Sequence, residues 1–308
     1  MFEELKQRRR ARPPEGALEW IAEVVGSPIR SCRRLSGGMS TGMHLITTAD
    51  GERVVLRRFL NEAWLSLDPH LAPREAGVLR ALESTAVPAP ALVGVDPYGE
   101  RCGAPAVLMG FVPGRRTVPA EHRRFASELA HAMAMIHDVA PPAVDGLPDE
   151  RLELERIVHE PSPNRHGSCP TPAFWKRVGA GISDVAWRPN VLIHNDFHPG
   201  NVMFRRNRLS AVVDWPLAAA GQPASDVSFC RLDTGLMLGL DVADHILEAY
   251  EAETGGRIEN RGWWDLVAAS RAETDLVLWT ESYAGLAEVT VDVVRARFDE
   301  FVARAIAA

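Results

Sequence analysis

The chain has 308 residues, with 34 Lys+Arg against 41 Asp+Glu and a formal net charge of −7. That shortage of cations argues against a general nucleic-acid binder, which needs a basic surplus to neutralise phosphates. A content of 46% hydrophobic and 24% charged residues suits an ordinary soluble globular protein, long enough for two lobes.

No run of 18 apolar residues offers a transmembrane span. The charged N-terminus, MFEELKQRRRARPPEG, has no apolar stretch behind it to serve as a secretory signal. Cys32, Cys102, Cys169 and Cys230 lack C-x-x-C spacing, which counts against a structural zinc site and a dense disulfide scaffold. The expectation is a cytoplasmic protein with no membrane or nucleic-acid partner.

In chain order, the first third reads as strand-rich with one helix. A glycine-rich stretch, Leu35 to Gly42, leads into a strand at 43–48 (MHLITT). Ala49-Asp50-Gly51 then makes a hairpin turn into a second strand at 53–59 (RVVLRRF). Alternation places Val55, Arg57 and Phe59 on one face of that strand, and Leu56 and Arg58 on the other. Ala76, Val78, Leu79 and Leu82, with Pro73 in the first turn, predict a helix over 72–84, stopped by AVPAP at 86–90. An apolar strand at 105–112 (PAVLMGFV) closes at Pro113-Gly114, the expected domain boundary.

Beyond that turn the pattern becomes helical. Phe125, Leu129, Ala132, Met133 and Ile136 recur at helical spacing over 120–138. A Pro/Ser/Asn/Gly-rich loop covers 161–172. Amphipathic helical patterns run from 240 to the end, broken at Thr254-Gly255-Gly256. Two short strands are embedded there, at 190–194 (NVLIH) and 209–213 (LSAVV).

The chemistry is concentrated in His194-Asn195-Asp196-Phe197-His198-Pro199-Gly200-Asn201 and the following Ala211-Val212-Val213-Asp214-Trp215. Asp196, Asn201 and Asp214 are oxygen donors of the kind Mg²⁺ takes when phosphates complete its shell. Pro199-Gly200 forces a tight loop between the first two. A carboxylate left free of metal can accept a proton from a hydroxyl. Alternatively, His194, Asp196 and His198 alternate N and O donors, as in a hydrolytic metal site. That reading leaves Asn201 and Asp214 without a role. Upstream, the glycines of 37–42 allow backbone N–H groups to approach phosphate oxygens, and Ser40 and Thr41 add hydroxyl donors.

His194-x-Asp196-x-x-x-x-Asn201 with the later VVDW resembles the catalytic loop of the aminoglycoside phosphotransferase and choline kinase-like family. The resemblance covers most of the chain, because the other elements follow in the family's order. It implies an α+β, two-lobed protein kinase-like fold with a small antiparallel-sheet N-lobe and a larger, mostly helical C-lobe. Residues 1–108 would be the nucleotide-binding lobe, 109–114 the hinge, and 115–308 the lobe with catalytic loop and acceptor pocket.

The same resemblance implies Asp196 as catalytic base, with Asn201 and Asp214 holding Mg²⁺. It places Gly37, Gly38, Ser40 and Thr41 along the nucleotide phosphates. Arg57 becomes the phosphate ligand, with Glu75 as its ion-pair partner and Arg58 as a solvated neighbour. Met109, Phe111 and Val112 would face the purine of ATP or GTP. His194 would order the loop, and Asp226, in Gly221-Gln222-Pro223-Ala224-Ser225-Asp226, would anchor it. Asn195 stands where glycine is usual, and Pro216 where an acid is common.

The implied activity is transfer of a γ-phosphate from ATP or GTP to the hydroxyl of a small acceptor, by a monomer or homodimer. Trp264, Glu273, Asp275, Trp279, Glu281 and Tyr283 fall where the family builds its acceptor pocket. Carboxylates with aromatic faces suit a cationic acceptor such as an aminoglycoside, a macrolide or choline. The same residues also read as helix-packing core and solvated acids. A nucleotide-binding regulator of kinase-like fold without turnover is the second functional reading.

Overall fold

A computed structural model describes residues 2–35, 41–159, 172–272 and 276–308. The chain divides into two compact units. The first comprises Met1–Pro113 together with Pro142–Gly146 and Asp214–Leu217. It holds α1 (Phe2–Arg10), α2 (Glu15–Val25), β1 (Ile29–Arg34), β2 (Thr41–Thr48), β3 (Arg53–Phe59), α3 (Glu62–Leu67), α4 (Leu71–Leu82), β4 (Leu92–Asp96) and β5 (Ala106–Gly110). Among the described residues these strands form an antiparallel sheet in the order β1-β2-β3-β5-β4.

The hairpin and helix expected from periodicity are β2, β3 and α4, with Pro73 in the first turn of α4. Alternate residues Ile46, Val54, Leu56 and Leu108 pack against Ala17, Trp20 and Ile21, the apolar stripe of α2. Helix α2 stops at Gly26, whose φ of 68° is one that glycine adopts without strain.

Arg74, buried on α4, ties the distant segments into this unit. Its Nε donates to the Gly146 carbonyl at 2.8 Å, Nη1 to the Pro216 carbonyl at 2.7 Å, and Nη2 to the Asp68 carboxylate at 2.6 Å. One turn on, a Cβ at Gly77 would come within 2.6 Å of Val144, so the glycine lets that segment close on the helix.

The second unit holds α5 (His122–His137), α6 (Glu150–His159), α7 (Pro172–Gly181), β6 (Val191–Ile193), β7 (Val202–Arg205), β8 (Arg208–Val212), β9 (Ala219–Gly221), α8 (Pro223–Leu238), α9 (Leu240–Thr254), α10 (Arg261–Ala269), α11 (Leu276–Ser282) and α12 (Val291–Ala307). Strand β6 pairs with β9 and β7 with β8, both antiparallel. One core joins Phe229, Leu232, Leu236, Tyr283, Phe298 and Phe301; another joins Ile157, Val178, Val185, Trp264 and Val267. The expected helix over 120–138 is α5, and the break at Gly255 is the left-handed cap of α9 (φ 68°). Most of the loop expected at 161–172 lies outside the described residues. No described helix is long and apolar enough to cross a membrane.

Glu150 is buried at the start of α6, where its Oε2 accepts the Gln222 N–H at 3.0 Å. Burial pushes its pKa from 4.5 to about 7. Because the folded value is raised, its contribution is fully present below the ordinary value and fades as pH rises through 7. Glu150→Gln keeps an acceptor there without the charge. It should equal wild type in urea unfolding at pH 4 and exceed it at pH 8, by on the order of 3 kcal/mol.

Candidate active site

In the second unit, β6 delivers the chain into the loop 194–201. The loop is fixed from below by Asp226, which is fully buried in the first turn of α8. Its carboxylate accepts the backbone N–H of His194 and of Asn195, each at 2.7 Å, and lies 3.2 Å from His137 Nε2. Burial alone would raise its pKa, but the hydrogen bond and charge of His137 and the His194 N–H leave it below the ordinary value. The His194 ring donates from Nε2 to the Val213 carbonyl at 3.0 Å. Asn195 has φ 60°, a conformation asparagine tolerates better than most side chains. Arg271 secures it with bonds to its carbonyl at 3.0 Å and its Oδ1 at 2.7 Å. The departure from glycine is therefore absorbed by a side-chain clamp.

Pro199–Asn201 form a single 3₁₀ turn. The turn brings Asn201 Nδ2 to 3.0 Å from the Asp196 carbonyl and 2.9 Å from Asp196 Oδ2. The Asp196 carboxylate is partly exposed. His198 lies beside it, with Nε2 4.0 Å from Asp196 Oδ2 and Nδ1 3.7 Å from Asp233 Oδ1. Burial pushes the Asp233 carboxyl up to about 6.

In the first unit, Arg57 is buried between two carboxylates. Its Nη1 meets Glu75 Oε1 at 2.8 Å and its Nη2 meets Asp214 Oδ1 at 2.6 Å. Burial alone would lower the Arg57 pKa, but Asp214 and then Glu75 raise it above the ordinary value, so the guanidinium stays charged. Glu75 Oε1 also accepts the Trp215 N–H at 3.2 Å. Burial pushes the Glu75 carboxyl up to about 7 in spite of Arg57, and Asp214 remains one-third exposed.

Arg58 departs from expectation. It lies on the face opposite Arg57, yet it is 6% exposed rather than solvated. Alternation predicts the face; it does not reveal that α1 lies against β2 or that Leu60 and the Cys102 loop close over that face.

Thr41 is buried at the start of β2, while Gly37, Gly38 and Ser40 lie outside the described residues. Met109 is buried in β5. The Phe111 N–H donates to the Arg53 carbonyl at 3.1 Å, and its ring lies 4.1 Å from the Arg53 guanidinium; Val112 is half-buried.

The aromatic residues expected around an acceptor are not brought to one place. Trp264 is buried against Trp187 and Trp263, whereas Tyr283 is buried in the other core. Trp279 packs edge-on against Phe229, with ring centroids 5.8 Å apart, and Glu281 is exposed. Glu273 and Asp275 lie outside the described residues. From sequence Arg271 reads only as a surface cation near Glu273 and Glu281, whereas it clamps Asn195, and Phe229 and Asp233 carry no reading. Asp233 had a usable signal, standing seven residues after Asp226 and so on the same helix face.

Each of the two expected oxygen donors, taken by itself, is of a kind Mg²⁺ accepts. Among the described residues no three His, Cys, Asp or Glu side chains assemble as a metal cage. Mg²⁺ asks for less, commonly one or two protein oxygens with phosphates and water. Asp214 is a partly exposed carboxylate, and Asn201 turns its amide nitrogen to Asp196, which leaves its oxygen for a cation.

Residues 31–264 match the profile of the phosphotransferase enzyme family. The chain is 23% identical over 243 residues to acyl-CoA dehydrogenase family member 10 of Mus musculus, which is 71% of this chain and 22% of that protein. It therefore spans under a quarter of that relative's length. It is 28% identical over 229 residues to homoserine kinase of Granulibacter bethesdensis, 70% of this chain and 68% of that one. Among solved structures, a thermostable mutant of aminoglycoside phosphotransferase APH(4)-Ia, in ternary complex with AMP-PNP and hygromycin B, superposes with a TM-score of 0.64. That alignment is 15% identical and covers 95% of this chain and 99% of the other. The fold is thus the α+β, protein kinase-like fold of these phosphotransferases. With the profile running from β1 into α10, the chain belongs to the phosphotransferase enzyme family.

Proposed function

We propose that the chain is a small-molecule O-phosphotransferase that moves the γ-phosphate of ATP or GTP to an acceptor hydroxyl. The observation that carries this reading is Asp196, a partly exposed carboxylate oriented by Asn201 in a loop that Asp226 locks from below. Asp196 orients the acceptor hydroxyl and takes its proton. Arg57, kept charged by Asp214 and Glu75, offsets phosphate charge. Asn201 and Asp214 supply oxygens to Mg²⁺, which when bound neutralises the nucleotide phosphates. Residues 1–108 bind nucleotide with the help of Gly37, Gly38, Ser40 and Thr41. Residues 109–114 form a hinge whose Met109, Phe111 and Val112 meet the purine. Residues 115–308 carry the catalytic loop and the acceptor pocket.

The acceptor is a small cationic alcohol. Support comes from the similar aminoglycoside phosphotransferase crystallised with hygromycin B. The hydrolytic metal reading loses ground because the His194 ring is buried and its Nε2 is committed to the Val213 carbonyl. The test is a panel of aminoglycosides, macrolides, choline, amino alcohols and sugars, scored by acceptor-dependent ADP or GDP release. Release with at least one cationic acceptor is expected, and it should vanish when Mg²⁺ is chelated. Stabilisation by Mg·ATP with no release for any acceptor would favour the regulator.

A further inference from the structure

The residue immediately before Asp196 is held in a conformation that its side chain does not favour. Asn195 has φ 60°, in the left-handed region. There Cβ crowds the following carbonyl oxygen, which costs a residue with a side chain about tenfold in population, and asparagine somewhat less. The restraint comes from outside the loop and reaches both peptide planes that flank Asn195. On one side, Asp226 Oδ1 accepts the Asn195 N–H at 2.7 Å. On the other, Arg271 donates from Nη1 to the Asn195 carbonyl at 3.0 Å and from Nη2 to Asn195 Oδ1 at 2.7 Å. That carbonyl and the Asp196 N–H share one rigid plane. The guanidinium therefore grips the peptide from which Asp196 departs.

Arg271 is itself fixed from two directions. It follows α10, where its N–H donates to the Ala268 carbonyl at 3.0 Å. Its guanidinium carbon lies 4.9 Å from the ring centroid of Phe229. Phe229 is buried on α8 and meets Trp279 edge-on. A guanidinium stacked on an aromatic face keeps its in-plane N–H groups for acceptors, and here two of them go to Asn195. A fork pre-set in this way loses less freedom on bonding than a flexible ammonium does.

We propose that Arg271 is a positioning residue for phosphotransfer: by holding Asn195 in the left-handed conformation it aims the Asp196 carboxylate. The proposal rests on the reading of Asp196 as the base, and Arg271 acts on it through the backbone of residue 195. This role carries a signature. Glycine enters the left-handed region without strain, so the need for Arg271 depends on which residue stands at 195.

The test measures kcat, nucleotide KM and amide deuterium uptake of the segment 191–201 in the full chain. Arg271→Met keeps an apolar contact for Phe229 and loses the donors. It should lower kcat about fivefold to tenfold, leave the nucleotide KM unchanged and raise uptake in 191–201. Arg271→Lys keeps the charge without the fork. It should behave as Arg271→Met does, which separates positioning from a charge effect, and it decides the matter should Arg271→Met fail to fold. When Asn195→Gly is already present, adding Arg271→Met should cost about twofold or less in kcat. A role confined to supporting α10 or Phe229 would give the same loss whichever residue stands at 195. Wild-type kcat in Arg271→Lys, or a loss undiminished by Asn195→Gly, overturns the proposal. Should the wild-type chain transfer phosphate to no acceptor, the base reading fails, and uptake alone decides the clamp: a rise in Arg271→Met supports it and an unchanged value overturns it.

Discussion

Replacing Asp196 by asparagine is expected to lower acceptor-dependent phosphotransfer by about 10²–10⁴-fold while leaving the fold in place. The asparagine oxygen can still accept the Asn201 amide, which now donates to Asp196 Oδ2 at 2.9 Å. The loop backbone is held by Asp226 at the N–H groups of His194 and Asn195 and by Arg271 at the Asn195 carbonyl. What disappears is the negative charge and the ability to take a proton. The unfolding midpoint should therefore stay within about 0.5 kcal/mol of wild type, as for partly exposed sites away from buried networks. Nucleotide affinity should hold, because Arg57 and its partners are untouched. Steady-state ADP or GDP release, a nucleotide titration and a urea curve on one preparation check all three. Full turnover in the purified variant would remove Asp196 from the mechanism.

Asp226→Ala is expected to cost about 3–5 kcal/mol of stability, the range for breaking a buried ionic network from one side. The carboxylate serves the N–H groups of His194 and Asn195 at 2.7 Å and His137 at 3.2 Å, with no access to water. Alanine strands all three donors in the interior. Asp226→Asn keeps one acceptor oxygen but turns an NH₂ toward an N–H, so it should fall between alanine and wild type. The pKa of Asp226 is lowered in the folded state, so its stabilisation is present above the ordinary value of 3.8 and is lost as pH falls through the folded value. The deficit of Asp226→Ala relative to wild type should accordingly narrow in acid. An alanine variant with the wild-type urea midpoint at pH 7 would refute the anchoring role.

What could be read from sequence was whatever is written in local spacing. The alternation of 53–59 is β3, and it put Arg57 and Arg58 on opposite faces. The spacing of Asp196 and Asn201 around Pro199-Gly200 became a 3₁₀ turn that sets the amide against the carboxylate. What escaped depends on partners far away in the chain. Arg58 reads as solvated because burial is decided by α1, Leu60 and the Cys102 loop, not by strand period. Arg271 is 76 residues from Asn195, and the clamp explaining a non-glycine at that left-handed position has no local signature. The aromatics of 263–288 read equally as an acceptor pocket or as helix-packing core, and only tertiary packing shows Trp264 and Tyr283 in separate cores.

The first unit is assembled from segments distant in the chain, and this bears on how it is made. Synthesis delivers residues N-terminus first, and nascent domains begin folding as they emerge. Strands β1 to β5 are all available once residue 113 has been added. At that moment Arg57 still lacks Asp214, and Arg74 lacks the carbonyls of Gly146 and Pro216. Both guanidinium groups wait, short of acceptors, until the ribosome has passed residue 217. Four residues, Asp214–Leu217, thus act as a completion signal. A prematurely terminated chain has the strands of a sheet but not the groups that close it, and quality-control proteases would meet it as an open, degradable intermediate.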